Sequence, residues 1–157
     1  MENVKFDWGK LNPLQLGRYA EYLIGMEFVF YGFDVFKAEV DDKGIDLIIR
    51  KDSGTPESLP KYYDVQVKSI YASNYIFFPK SKFMPRDNLL AGIVVYFDNQ
   101  PPRLFLIPSI AWLCPNSLLV NHDYIEKKSE PEWGLNISKK NLPLLEEFCF
   151  DKIVEEL

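Results

Sequence analysis

Three polar side chains recur at every second position of one short run. In KYYDVQVKSI, Lys61 to Ile70, Asp64, Gln66 and Lys68 alternate with Val65 and Val67. Successive strand residues point to opposite faces, so the run predicts a strand with its valines in the core. A carboxylate, an amide and an ammonium group then line the other face. Asp46 opens the preceding apolar run, Ile45 to Lys51, two residues after Gly44. If the two runs form a hairpin, Asp46 lies beside Gln66 and Lys68. Hard oxygen ligands of this kind suit Mg²⁺. A carboxylate can hold such an ion against a phosphate oxygen, where the metal polarises the phosphate and acidifies a bound water. An ammonium group nearby orients that water or stabilises charge in the transition state. The chemistry indicated is metal-assisted phosphodiester hydrolysis. The competing reading is a wet sheet face carrying a solvated Asp46–Lys68 ion pair.

The elements that must position these residues are legible around them. Pro13 to Tyr31 predicts a helix, with Asn12 as its cap and Pro13 in its first turn. Leu16, Ala20, Leu23, Ile24 and Phe28 recur at helical spacing, and Gly32 is the C-terminal cap candidate. Glu21 lies on the stripe of Gly17, Ile24 and Phe28, a partly apolar face where a surface glutamate is less expected. Phe33 to Val40 predicts a first strand, Asp41 to Gly44 a turn, and Ile45 to Lys51 a second strand. Asp52 to Pro60 is a Gly, Ser and Pro-bearing loop, and Lys61 to Ile70 is the third strand. Tyr75 to Phe78 suggests a short strand. Leu89 to Asp98 is a near-continuous apolar run, as for a strand buried on both faces. Arg103 to Pro108 returns as a strand, and Ser109 is expected to cap a short helix through Cys114. Asn116 to Trp133 reads as a meander, Leu135 to Ser138 as a last short strand, and Leu142 to Leu157 as one C-terminal helix.

In this order (helix with Glu21, then GID at Gly44 to Asp46, then VQVK at Val65 to Lys68) the chain resembles the PD-(D/E)xK nuclease superfamily in its Q-x-K variant, as in Mrr-like restriction endonucleases. Archaeal Holliday-junction resolvases are similar in layout, with an acid in place of the glutamine. The resemblance covers residues 13 to 70 well and 89 to 112 loosely. It implies an α/β, restriction endonuclease-like αβββαβ core, with a central mixed sheet flanked by helices. It also implies Asp46 and Gln66 as metal ligands, Glu21 as a further ligand directly or through water, Lys68 as the catalytic lysine, and Mg²⁺ or Mn²⁺ as the ion. The sequence departs from the pattern in reading KGID where the family has Pro-Asp. With Gln66 the site holds one negative charge fewer and should bind metal less tightly.

The 157 residues are enough for one domain with a real core. The expectation is an arm over 1–12, a core over 13–112 and an extension over 113–157. The net charge of −5 counts against a strong nonspecific grip on a polyanion, although local basic patches act within acidic proteins. Lys80, Lys82 and Arg86 are the candidate phosphate contacts, with Arg18 and Lys61 able to extend the patch. Phe77, Phe78 and Phe83 suit base stacking or, more simply, core packing. Cys114 and Cys149 read as buried free thiols, His122 as a loop histidine, and Trp112 as a core residue. No signal-like segment opens the sequence and no apolar run would span a bilayer, so a cytoplasmic location is expected. The expected function is a DNA endonuclease of restriction, repair or mobile-element type, with a homodimer left open. The alternative is a catalytically inactive relative that binds nucleic acid or a protein partner.

Overall fold

The computed structural model describes residues 6–40, 42–72 and 74–157. Helix α1, Pro13–Phe30, forms where the sequence marks both ends. The Asn12 side chain accepts the Gln15 N–H while the Gln15 side chain accepts the Asn12 N–H, a reciprocal capping box. At the other end the Gly32 N–H reaches the Val29 carbonyl and the Phe33 N–H the Phe28 carbonyl, with Gly32 at φ +86°. That is a Schellman closure, and its left-handed residue favours glycine. Leu16, Ala20, Ile24 and Phe28 are buried, as their spacing requires.

Strands β1 (Asp34–Lys37), β2 (Leu47–Lys51), β3 (Lys61–Tyr71), β4 (Tyr75–Pro79), β5 (Leu89–Tyr96), β6 (Arg103–Pro108), β7 (Leu119–His122) and β8 (Glu132–Asn136) follow in order. The central sheet runs β1-β2-β3-β5-β6. Its β1–β2, β2–β3 and β5–β6 pairs are antiparallel and its β3–β5 pair is parallel, the expected central mixed sheet. Helix and first three strands follow the αβββ order read from the sequence. The β3-to-β5 crossover carries strand β4 where the expected core has a helix. β4 joins β8 and β7 in a separate antiparallel sheet.

Two cores result, one on each face of the central sheet. On one face, Val65 and Val67 of β3 and Leu90 and Val94 of β5 pack with the buried stripe of α1. Gly92 matters here: a Cβ on it would stand 3.2 Å from Ile24 Cγ2, so the glycine lets α1 approach β5 closely. On the other face, Leu89, Ala91, Ile93 and Val95 pack with Phe78, Phe83, Trp112 and Leu135. Phe78 and Phe83 are wholly buried beside Trp112, so only Phe77 of the three phenylalanines is exposed.

Several boundaries differ from the sequence reading. The expected C-terminal helix is two helices, α2 (Leu142–Glu146) and α3 (Phe150–Glu156). Between them the Phe148 carbonyl accepts the Leu106 N–H, and Cys149, at φ −48° and ψ 135°, bridges Phe105. β6 is the outer strand of its sheet, and this segment covers its unpaired edge at the expense of helix. Ser109 does not cap the 3₁₀ helix Ser109–Leu113: its hydroxyl accepts the Arg86 N–H and donates to the Arg86 carbonyl. The meander contains β7, and the last strand lies at Glu132–Asn136. The region read as an arm is tied down from Phe6 onward. Trp8 is buried against Tyr96, and its indole N–H donates to the Gln100 carbonyl. Both cysteines are free thiols, but Cys114 is exposed and Cys149 half-buried. Met1 to Lys5, Asp41 of the expected turn, and Ser73 lie outside the described residues.

Candidate active site

β2 and β3 pair from Leu47↔Val65 to Lys51↔Lys61. Before Leu47 the chain turns away from β3 through Gly44, whose φ is +72°. The Asp46 N–H still donates to the Val65 carbonyl at 3.0 Å. The next donor along β3, the Val67 N–H, meets the Asp46 side chain: Oδ2 accepts it at 2.6 Å. A carboxylate on a backbone N–H makes a short, charge-assisted bond. It holds Asp46 against the backbone of the residue between Gln66 and Lys68.

Gln66 and Lys68 share the face of β3 opposite Val65 and Val67, as alternation demands. That face is covered rather than wet. Gln66 is 5% exposed, and its Oε1 is buried without a hydrogen-bond partner among the described residues. Such an atom costs about 1–3 kcal/mol when left without an acceptor's partner, so it marks a place where something else completes it. A Cβ on Gly44 would stand 3.1 Å from Gln66 Nε2, so the glycine is required both for its backbone angle and for room beside the amide. Lys68 is half-buried, its Nζ 5.9 Å from the centre of the Phe78 ring. Asp64, one pleat along, pairs with the Arg86 guanidinium at 2.6 Å.

Glu21 comes from the other side of the sheet, on α1. Its carboxylate is 22% exposed and carries two cations, Arg18 at 2.8 Å and Lys37 at 3.4 Å. Glu21 and Asp46 line one cavity of about 540 Å³ together with Arg18, Lys37, Ala38, Glu39 and Ile45. The Ala38 N–H donates to the Asp46 carbonyl, which brings the end of β1 to this cavity. A second cavity, of about 320 Å³, shares Ile45 and is lined by Asp42, Lys43, Ser81, Lys82, Met84 and Arg86.

The structure therefore places Asp46, Gln66 and Lys68 on one hairpin and Glu21 in the cavity that Asp46 lines, while Gln66 and Lys68 line neither of the two cavities. Lys82 and Arg86 share the second cavity. Lys80 stands apart, over the Trp133 ring and bonded to Asn121 and Asp123. The sequence reading missed Lys37 and Glu39. The signal for them was the antiparallel β1–β2 pairing, which places the end of β1 next to the start of β2.

Do these residues fit a divalent ion? Among the described residues, no three His, Cys, Asp or Glu side chains are grouped to hold one. Two carboxylates and an amide oxygen are a different set, all hard oxygen donors, and the partnerless Gln66 Oε1 is the kind of atom a cation completes. These are donors of the kind Mg²⁺ or Mn²⁺ takes; Glu21 and Asp46 line one cavity, and Gln66 lies on the neighbouring strand outside that lining.

No family model matches this sequence, and no curated protein does. Among solved structures the chain is similar to Hjc, a Holliday junction resolvase from the archaeal hyperthermophile Archaeoglobus fulgidus. The TM-score is 0.51 with 12% identity, over 88% of this chain and 95% of that one. This chain has a restriction endonuclease-like fold.

Proposed function

We propose that this chain hydrolyses phosphodiester bonds in DNA, with Mg²⁺ or Mn²⁺ held by Asp46, Gln66 and Glu21 and with Lys68 as the catalytic lysine. The bond from the Val67 N–H to Asp46 supports this reading most directly, because it sets a carboxylate against the β3 backbone at the residue between Gln66 and Lys68. The likeness to a junction resolvase favours DNA as the partner, in restriction, repair or mobile-element chemistry.

When bound, the ion would polarise the phosphate and lower the pKa of a water. Asp46, just ahead of β2, and Gln66 of β3 would each offer the ion an oxygen. Lys68 places a positive charge where negative charge develops on the phosphate oxygens. The cover on the Gln66 face limits water there and strengthens each of these interactions. Lys82 and Arg86 lie across Ile45 from Asp46, suited to flanking phosphates.

A plasmid-nicking assay with Mg²⁺ or Mn²⁺ tests the proposal. Asp46→Asn and Lys68→Ala should each lower nicking by about 100-fold or more while the fold is retained. Equal cleavage by the wild type and both variants would identify a contaminant and remove the basis for a nuclease.

A second reading is a protein that binds DNA or a protein partner without cutting. The neutral Gln66 and the two cations held by Glu21 favour it. Calorimetry with Mn²⁺ separates the two readings, because an inactive site binds no ion in an Asp46-dependent way.

A further inference from the structure

Arg18 and Lys37 are placed oddly for a site that must hold a dication. Both ion-pair with the one Glu21 carboxylate, and both line the cavity that Asp46 lines. An exposed i,i+3 pair such as Arg18–Glu21 is worth little for stability. Lys37 reaches the same carboxylate from another element, β1, and its Nζ also sits 4.5 Å from the centre of the Tyr22 ring. Two cations from two elements therefore converge on one half-buried acid that lines the cavity. As long as they stay on Glu21, that acid is neutralised, and a dication arriving at Asp46 meets two like charges that only Glu39, among the described residues of the same cavity, offsets.

We propose that Arg18 and Lys37 are phosphate-binding residues that exchange partners. In the absence of nucleic acid they occupy Glu21. When a phosphodiester enters the cavity they turn to its oxygens, and Glu21 is released toward the ion. The inference rests on the nuclease reading and adds a coupling to it: the nucleic acid raises the affinity for the ion, and the ion raises the affinity for the nucleic acid by the same factor. The side chains suit the exchange. Arg18 is 56% exposed and Lys37 40%, so both can swing to a new partner without disturbing the core. An arginine gives bidentate bonds to phosphate, and a lysine a mobile point charge. A protein of net charge −5 gains a further advantage. It grips a polyanion most tightly where ion and backbone arrive together, so nonspecific binding stays weak.

Calorimetric titration of Mn²⁺ tests the coupling without relying on catalysis. The proteins are the wild type, the Arg18→Gln/Lys37→Gln double variant and Asp46→Asn, each with and without a phosphorothioate DNA duplex. Circular dichroism confirms that all are folded. Without DNA, the double variant should bind Mn²⁺ about fivefold or more tightly than the wild type, because Glu21 is already released. With DNA, the wild type should gain by a similar factor and the double variant should not. The double variant should also bind the duplex more weakly in Mn²⁺-free buffer. Asp46-dependent Mn²⁺ binding of equal strength in wild type and double variant overturns the coupling and leaves the nuclease reading standing. Tighter Mn²⁺ binding with unchanged affinity for DNA overturns the phosphate role. Absence of Asp46-dependent Mn²⁺ binding in every protein removes the exchange and the metal site together.

Discussion

The Asp46 carboxylate stands in for a missing strand residue opposite Val67. β2 has already turned away at that point, and the side chain supplies the acceptor that the next backbone carbonyl would have offered. One residue thus closes the end of the hairpin and presents an acid at it. Structural and chemical roles can be separated by substitution. Asp46→Ala leaves the Val67 N–H without this acceptor and should cost about 1–3 kcal/mol in urea unfolding. Asp46→Asn keeps an acceptor oxygen and should stay within about 1 kcal/mol of the wild type, yet lose metal-dependent nicking. Equal stability losses in the two variants would count against the bond.

Gln66→Glu adds a third carboxylate to the set, where the amide oxygen is buried. Without an ion, a desolvated carboxylate should lower the melting temperature. With Mn²⁺ the same variant should be stabilised more than the wild type, because a ligand that binds only the folded state raises its stability. Differential scanning fluorimetry with and without Mn²⁺ reads both effects. Identical responses of the two proteins to the ion would place Gln66 outside the metal site.

Gly44→Ala meets two obstacles at once, a φ of +72° and the Gln66 amide 3.1 Å from the new Cβ. The backbone strain alone is about 1–2 kcal/mol. The amide must also shift, so Mn²⁺ affinity should fall along with stability. Gly54→Ala, at φ +75° with no heavy atom of the described residues within 4 Å of the added Cβ, should carry the strain alone and leave Mn²⁺ binding unchanged.

Tyr96 makes stability fall at high pH. Burial raises the pKa of its phenol above the ordinary 10, and its hydroxyl donates to the Leu16 carbonyl. Above pH 10 the unfolded state loses this proton while the folded state keeps it. Folded stability is therefore fully present below pH 10 and declines as pH rises, by at most about 1.4 kcal/mol per pH unit from this group. Tyr96→Phe should lose the hydrogen bond at neutral pH and show a shallower alkaline decline in urea midpoints.

What the sequence disclosed and what it withheld follow from the range of the forces involved. α1 was legible because Asn12, Pro13 and Gly32 act within a turn of the positions they mark. The placement of Gln66 and Lys68 on one face was legible because alternation is a property of the strand itself. The partners of Glu21 were only half legible: Arg18 is three residues away on the same helix, whereas Lys37 arrives on a different strand. The second sheet was mostly hidden. Its strands β7 and β8 are short, carry His122, Glu132 and Gly134, and are defined by pairing with each other and with the distant β4. The break at Cys149 was hidden for a similar reason. The local pattern favours helix there, and the exposed edge of β6, some forty residues earlier in the chain, overrides it.

The eight residues of β5 are all buried, with Val94 turned to the α1 side and Ile93 to the side of the second sheet. Neither half of the molecule keeps its packing once that strand detaches, since each uses it as a wall. Heat or denaturant should consequently dismantle helices and both sheets in a single cooperative step, and damage to one flank should be felt across the whole domain.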